Sequence, residues 1–136
     1  MNTKEKGDIA VGHAISYYLS NGYEVCLPIG DKRNYDFIVE RDSLLKRVQV
    51  KYAGYSEKRN RSVAGLRITG GNQSFNYTKK YRSEDFDELF IFTGKGDRFV
   101  IPWSDVACRN ELVIDSGKYD MYKVRVGGGV VNHNRL

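Results

Sequence analysis

At 136 residues and 40% hydrophobic content, the chain is long enough for one domain with a real core and too short for two full-sized ones. Its formal charge of +5 favours a polyanionic partner, and Cys26 and Cys108 stand alone in unlike contexts, which excludes a zinc finger and a disulfide framework. No apolar run approaches the roughly 18 residues of a membrane span and no secretory leader pattern is present, so the expected setting is a reducing cytoplasm or nucleoid with no membrane partner.

In chain order, Thr3 can cap a helix running to about Asn21, with Gly22 as its stop. At about 100° per residue, Val11, Gly12, Ile15, Tyr18 and Leu19 share an apolar stripe, while Lys6, His13 and Tyr17 lie on the other side. Asp8 falls on that stripe. A carboxylate facing a core is costly unless it is paired or bound to a metal, which makes Asp8 a candidate catalytic residue; in a first turn it can also simply favour the helix dipole. Glu5, one turn earlier, is a weaker candidate for the same role and is expected to be exposed. A strand from Glu24 to Ile29 follows, with Cys26 expected as a small core residue.

Next comes a hairpin. If Tyr35 to Glu40 pairs antiparallel with Leu45 to Lys51 around a turn at Arg41-Asp42-Ser43-Leu44, Asp36 lies opposite Gln49 and Ile38 opposite Arg47. Lys51 falls on the same face, and Phe37, Val39, Val48 and Val50 on the reverse face should be buried. A divalent cation takes hard oxygen ligands, which the Asp36 carboxylate, the Gln49 amide and the Val50 carbonyl can supply. Lys51 adds a positive charge able to orient water or stabilise negative charge developing on a phosphate. Such a short pattern also describes a solvated hairpin face with an ordinary Asp-Lys pair, so the order of the surrounding elements decides.

From Tyr55 to Arg82 there are seven basic residues, Lys58, Arg59, Arg61, Arg67, Lys79, Lys80 and Arg82, against one acid, Glu57. They are interleaved with amides, Asn72 and Gln73 among them, that can read base edges. Ala64 to Thr69 can form a strand leading to a hairpin tip at Gly70-Gly71-Asn72-Gln73-Ser74. A groove-reading hairpin and a solvated insertion both fit this composition; adjacency to the Asp36 face favours the first.

The second half reads mainly as strands. Leu89 to Thr93 is an apolar run, Gly94-Lys95-Gly96-Asp97 a turn, and Arg98 to Ile101 a return strand ended by Pro102. Ser104 to Arg109 is expected as a short helical turn beside Trp103, and Met121 to Val126 as a half-exposed strand. Residues 127–136, which include a triple glycine and His133, read as a flexible tail, leaving a single domain over 1–126 with a catalytic core of about 3–54 and a basic segment of about 55–82.

The order of helix, Gly22-Tyr23 turn, Glu24 strand, Asp36 strand and Gln49-x-Lys51 strand resembles the PD-(D/E)xK nuclease superfamily. Lys6-Gly7-Asp8-Ile9-Ala10-Val11, Gly22-Tyr23-Glu24-Val25, Leu27-Pro28, Tyr35-Asp36 and Arg47-Val48-Gln49-Val50-Lys51-Tyr52 are similar, more narrowly, to its small group I intron homing endonucleases. The resemblance implies an α/β restriction-endonuclease-like core, a mixed central β-sheet flanked by helices, with a basic hairpin or loop insertion for DNA contact. It also implies metal-dependent hydrolysis of double-stranded DNA with Mg2+ (Mn2+ substituting), and roles for Asp36 and Lys51 like those of the family's acid and lysine. Cutting two strands with a small chain implies a homo-oligomer, a dimer or tetramer. Gln49 stands where the second acid is usual, as in some homing-type members. The helix glutamate would align near Val11, so the chain lacks it or uses Asp8. Three functions follow: a homing-type site-specific endonuclease, a Holliday-junction-resolvase-like enzyme reading branched shape, or a DNA-binding module that has lost catalysis.

Overall fold

The computed structural model describes residues 1–30, 32–72, 75–107 and 109–125; Gln73, Cys108 and the 127–136 segment lie outside the described residues, as does the side chain of Asn72. Helix α1 spans Thr3–Ser20 and is capped by Asn2, not Thr3. The Asn2 side chain accepts from Glu5 N at 2.9 Å, and Asn2 N donates to Glu5 Oε1 at 3.4 Å. This capping box satisfies two orphan donors and occupies Glu5, which is exposed. At the other end Asn21 is the C-cap, and Gly22 takes φ +81°, a conformation that favours glycine.

The buried stripe of α1 is Ala10, Ala14 and Tyr18, all fully enclosed, while Leu19 is 56% exposed. This corrects the sequence expectation. The stripe is rotated by about one residue because the sheet beneath carries bulky rings, Phe37, Phe90 and Phe92, which leave room only for small residues at the closest approach. Asp8 is consequently exposed, and the argument from a core-facing carboxylate falls away. His13 is not on a solvated face: its ring stacks on Phe92 at 4.0 Å and 9°, with Nδ1 2.6 Å from an Arg98 Nη2. Burial and the Arg98 charge hold the imidazole below its ordinary range.

Among the described residues ten strands follow: β1 Glu24–Cys26, β2 Phe37–Arg41, β3 Leu44–Ser56, β4 Arg61–Gly65, β5 Arg67–Asn72, β6 Phe75–Lys80, β7 Glu88–Thr93, β8 Arg98–Pro102, β9 Glu111–Val113 and β10 Lys123–Val124. The central sheet runs β1-β2-β3-β7-β8-β10, with β4 joined to β3 and β9 to β4. Only β3 and β7 are parallel in it, so the sheet is mixed. The central position of β7 explains its composition: all six of its residues are buried, as a strand covered on both faces requires. Strand β1 is shorter than expected and lies at an edge, which leaves Cys26 exposed instead of in the core.

The sheet separates two cores. On one face Val48, Val50, Phe90 and Phe92 meet α1. On the other, Leu89, Ile91 and Ile101 are covered by Leu66, Trp103, Leu112 and Ile114 from the β4–β9 side. Short 3₁₀ turns at Trp103–Asp105 and Asp120–Tyr122 replace the longer turn expected over 104–109 and the start of the last strand. Among the described residues no helix is long and apolar enough to cross a membrane.

A buried polar contact also crosses the helix-side core. The Tyr18 hydroxyl donates to Glu88 Oε2 at 2.6 Å, and Lys46 Nζ lies 3.4 Å from Glu88 Oε1. Burial, then the Glu88 charge, push the Tyr18 phenol well above its ordinary range, so it stays a donor. Tyr18→Phe should therefore strip a buried carboxylate oxygen of its donor and cost about 1–3 kcal/mol. A denaturant midpoint lowered at unchanged m-value is the expected readout; an unchanged midpoint would mean that water replaces the hydroxyl.

Candidate active site

The β2–β3 hairpin has the expected register, with Ile38 opposite Arg47 and Phe37 opposite Val48. Its turn is the two residues Asp42 and Ser43, at φ 54° and 66°. Just before β2, Asp36 N donates to Val48 O at 2.8 Å, which extends the pairing by one step and sets Asp36 beside Gln49. The Asp36 side chain then folds over the neighbouring strand, where Oδ2 accepts from Val50 N at 2.6 Å. The acid is thus latched to the same strand that carries Gln49 and Lys51.

Alternation along β3 does the rest. Val48 and Val50 pack towards α1, while Gln49 and Lys51 project to the opposite face, in register with Leu89 and Ile91 of β7. Gln49 is largely buried and its Nε2 donates to Val50 O at 3.3 Å, which leaves Oε1 as its remaining acceptor. Lys51 makes no hydrogen bond or ion pair among the described residues; its Nζ lies 4.9 Å from the ring centroid of Tyr81. Burial pulls the Lys51 ammonium below its ordinary range, partly offset by Asp36. Burial also raises the Asp36 carboxyl, against the Val50 N–H and the Lys51 charge.

Asp36 Oδ1, Gln49 Oε1 and the Val50 carbonyl are all hard oxygen donors, the kind that Mg2+ or Mn2+ takes, and the donor set fits such an ion. Among the described residues no group of three His, Cys, Asp or Glu side chains is placed to hold a metal, so Asp36 is the carboxylate of this set. Lys51 and Val50 also line a cleft of about 430 Å³ with Thr3, Lys6 and Gly7 at the start of α1. Asp8 follows Gly7 but is exposed, and the structure records no bond from it to Asp36, Gln49 or Lys51.

The basic residues are split between two places. Lys58, Arg59 and Arg61 sit at or just after the β3–β4 turn, within the central sheet; Arg59 is paired with Glu111 at 2.6 Å and Arg61 bonds Asn60 O at 3.0 Å. Arg67, Lys79 and Lys80 lie on the separate β5–β6 hairpin, where Arg67 is directly opposite Lys80. Arg82 follows, held to Glu84 and Asp85 at 3.3 Å each. Burial pushes the Asp85 carboxyl up, but hydrogen bonds from Arg82 and Asn34 outweigh it and leave the group below its ordinary range.

Sequence reasoning missed the loop ahead of Asp36 and the ring beneath Lys51. A cleft of about 320 Å³ bordered by Lys79, Lys80 and Arg82 shares Asn34, Arg82 and Asp85 with a second of about 290 Å³ bordered by Lys32, Arg33 and Arg47. The two form a basic trough leading from the hairpin to the residues just before Asp36. The run Lys32-Arg33-Asn34 was the available signal; Tyr81 had none beyond its place in the basic segment.

A mixed sheet with an acid latched beside a strand-borne Gln-x-Lys, flanked by cations, is an arrangement suited to phosphodiester chemistry. A family model described as PD-(D/E)XK endonuclease matches residues 1–126, and the chain belongs to that family. Among solved structures the fold is similar to one titled the structure of a bacterial homing endonuclease, I-Ssp6803I, at 31% identity and a TM-score of 0.75, covering 87% of this chain and 82% of that one. No curated protein matches the sequence.

Proposed function

We propose that the chain is a metal-dependent DNA endonuclease that makes site-specific double-strand cuts of the homing type, working as a homo-oligomer so that two copies address two strands. The observation that carries this reading is the Asp36–Val50 latch beside a Lys51 ammonium that has no hydrogen bond or ion pair among the described residues. Family membership and the structural likeness to a bacterial homing endonuclease support it.

Asp36, Gln49 and the Val50 carbonyl would hold the ion, and a divalent cation so bound polarises the scissile phosphate and makes water more acidic. The chain's own contribution is positional. Val50 N–H fixes one Asp36 oxygen, and Lys51, with no hydrogen bond or ion pair among the described residues, can turn its donors to the attacking water or to a phosphate oxygen. Arg67, Lys79 and Lys80 would seat the duplex backbone. The single carboxylate favours a second reading, a DNA-binding module without catalysis.

Cleavage of a randomised linear duplex library in Mg2+ or Mn2+, with Lys51→Ala beside the native chain, separates these. Recurrent cuts at one site that vanish in the variant are expected. DNA binding with no cuts in linear or four-way-junction substrates would establish the silent module; cuts confined to the junction would establish a resolvase.

A further inference from the structure

We infer that Tyr81 is a positioning residue for the cleavage reaction: its ring face holds the Lys51 ammonium over the site without consuming any of its hydrogen-bond donors. The inference rests on the proposed nuclease function and adds to it a residue outside the Asp36, Gln49 and Lys51 set.

Lys51 Nζ sits 4.9 Å from the ring centroid, within the range where an aromatic face attracts a cation. A carboxylate partner would attract the ammonium more strongly but would occupy its protons. A ring does not, so all three N–H bonds stay available for water or phosphate. The platform is itself fixed. Tyr81 is 7% exposed and meets Phe86 edge-on at 5.2 Å and 82°, and Trp103 at 6.1 Å and 86°. Trp103 Nε1 in turn donates to Arg82 O at 3.0 Å, which pins the backbone next to the ring. Burial, then Asp36 and Asp85, raise the phenol to about 12, so the ring stays neutral in the working range. Tyr81 also follows Lys80 directly, so the segment that would grip DNA continues into the support of the lysine.

The test has an activity arm and a spectroscopic arm. Tyr81→Leu should lower the single-turnover cleavage rate roughly 3- to 30-fold with DNA affinity unchanged, and Tyr81→Phe should keep the rate within about twofold. Since Leu fills less of the Phe86–Trp103 cluster than the native ring, fluorinated phenylalanines at position 81 provide a near-isosteric series, in which the rate should fall as the ring face loses negative potential. Independently of cleavage, the Lys51 ε-methylene protons should show an upfield ring-current shift in the native chain and in Tyr81→Phe that is absent in Tyr81→Leu. No such shift would overturn the inference even in a chain that does not cut; equal rates across the fluorinated series, with Lys51→Ala inactive, would overturn it in one that does. Native protein that shows the shift and fails to cut would refute the nuclease reading alone.

Discussion

Asp36→Asn is expected to abolish cleavage and at the same time raise the melting temperature of the metal-free protein. The catalytic loss follows from replacing the one carboxylate of the donor set, and a fall of roughly 10³-fold or more is the appropriate scale. The stability gain follows from burial. In the fold the Asp36 carboxyl is held above its ordinary range, chiefly by desolvation, so the folded chain holds the proton more tightly than the unfolded one. This group's contribution to stability is therefore complete below the unfolded carboxylate range and is lost as pH rises through the folded titration. Asparagine keeps an oxygen for Val50 N–H and carries no charge to desolvate. The gain is expected at neutral pH and should shrink towards zero in acid. Melting curves of both proteins at acid and neutral pH check the sign; a variant less stable than the native chain at neutral pH would show that the carboxylate is stabilised by its surroundings.

Combined Arg67→Ala and Lys80→Ala substitution should weaken duplex binding about 10- to 100-fold near 0.1 M salt and flatten the logarithmic salt slope by roughly 2, one unit per lost phosphate contact. The two cations are direct cross-strand partners on β5 and β6, and like charges so placed repel by a few tenths of a kcal/mol. A fold that maintains such a pair is relieved by a polyanion. The double variant should for that reason be no less stable than the native protein while binding DNA worse. Arg59→Ala makes the contrast: its guanidinium is already spent on Glu111, so its effect on the salt slope should be small. Unchanged slope in the double variant would remove the hairpin from the DNA path.

The hairpin and its register were legible because one register, with Ile38 opposite Arg47, puts Phe37, Val39, Val48 and Val50 all on one face. The helix was legible in extent and not in rotation. Large side chains such as Leu19 marked the stripe in sequence, whereas the sheet's own rings made small Ala10 and Ala14 the buried contacts and drew His13 and Tyr17 towards Phe92 and Phe90. Asp8 lost its argument with that rotation. Cys26 was misplaced because an apolar neighbourhood does not reveal whether a strand lies at an edge. The Tyr81 ring reaches Lys51 through a contact between residues far apart in the chain, which no local pattern records. The division of the basic residues between central sheet and hairpin was hidden for the same reason: one charge-rich run was folded into two elements with a break at Leu66.

The latch between Asp36 and Val50 also constrains how this chain can diverge. Acid and lysine are aligned by backbone pairing across a two-residue turn, so losing or gaining one residue at Asp42-Ser43 would send Gln49 and Lys51 under the helix and bring Val48 and Val50 to the open face. Insertions there would break the register, whereas β5 and β6 form strand pairs with no other described strand, so their tip can change length without shifting that alignment. On the proposed reading, a lineage built this way can change its DNA contacts through the arm while the alignment of Asp36 with Lys51 stays fixed.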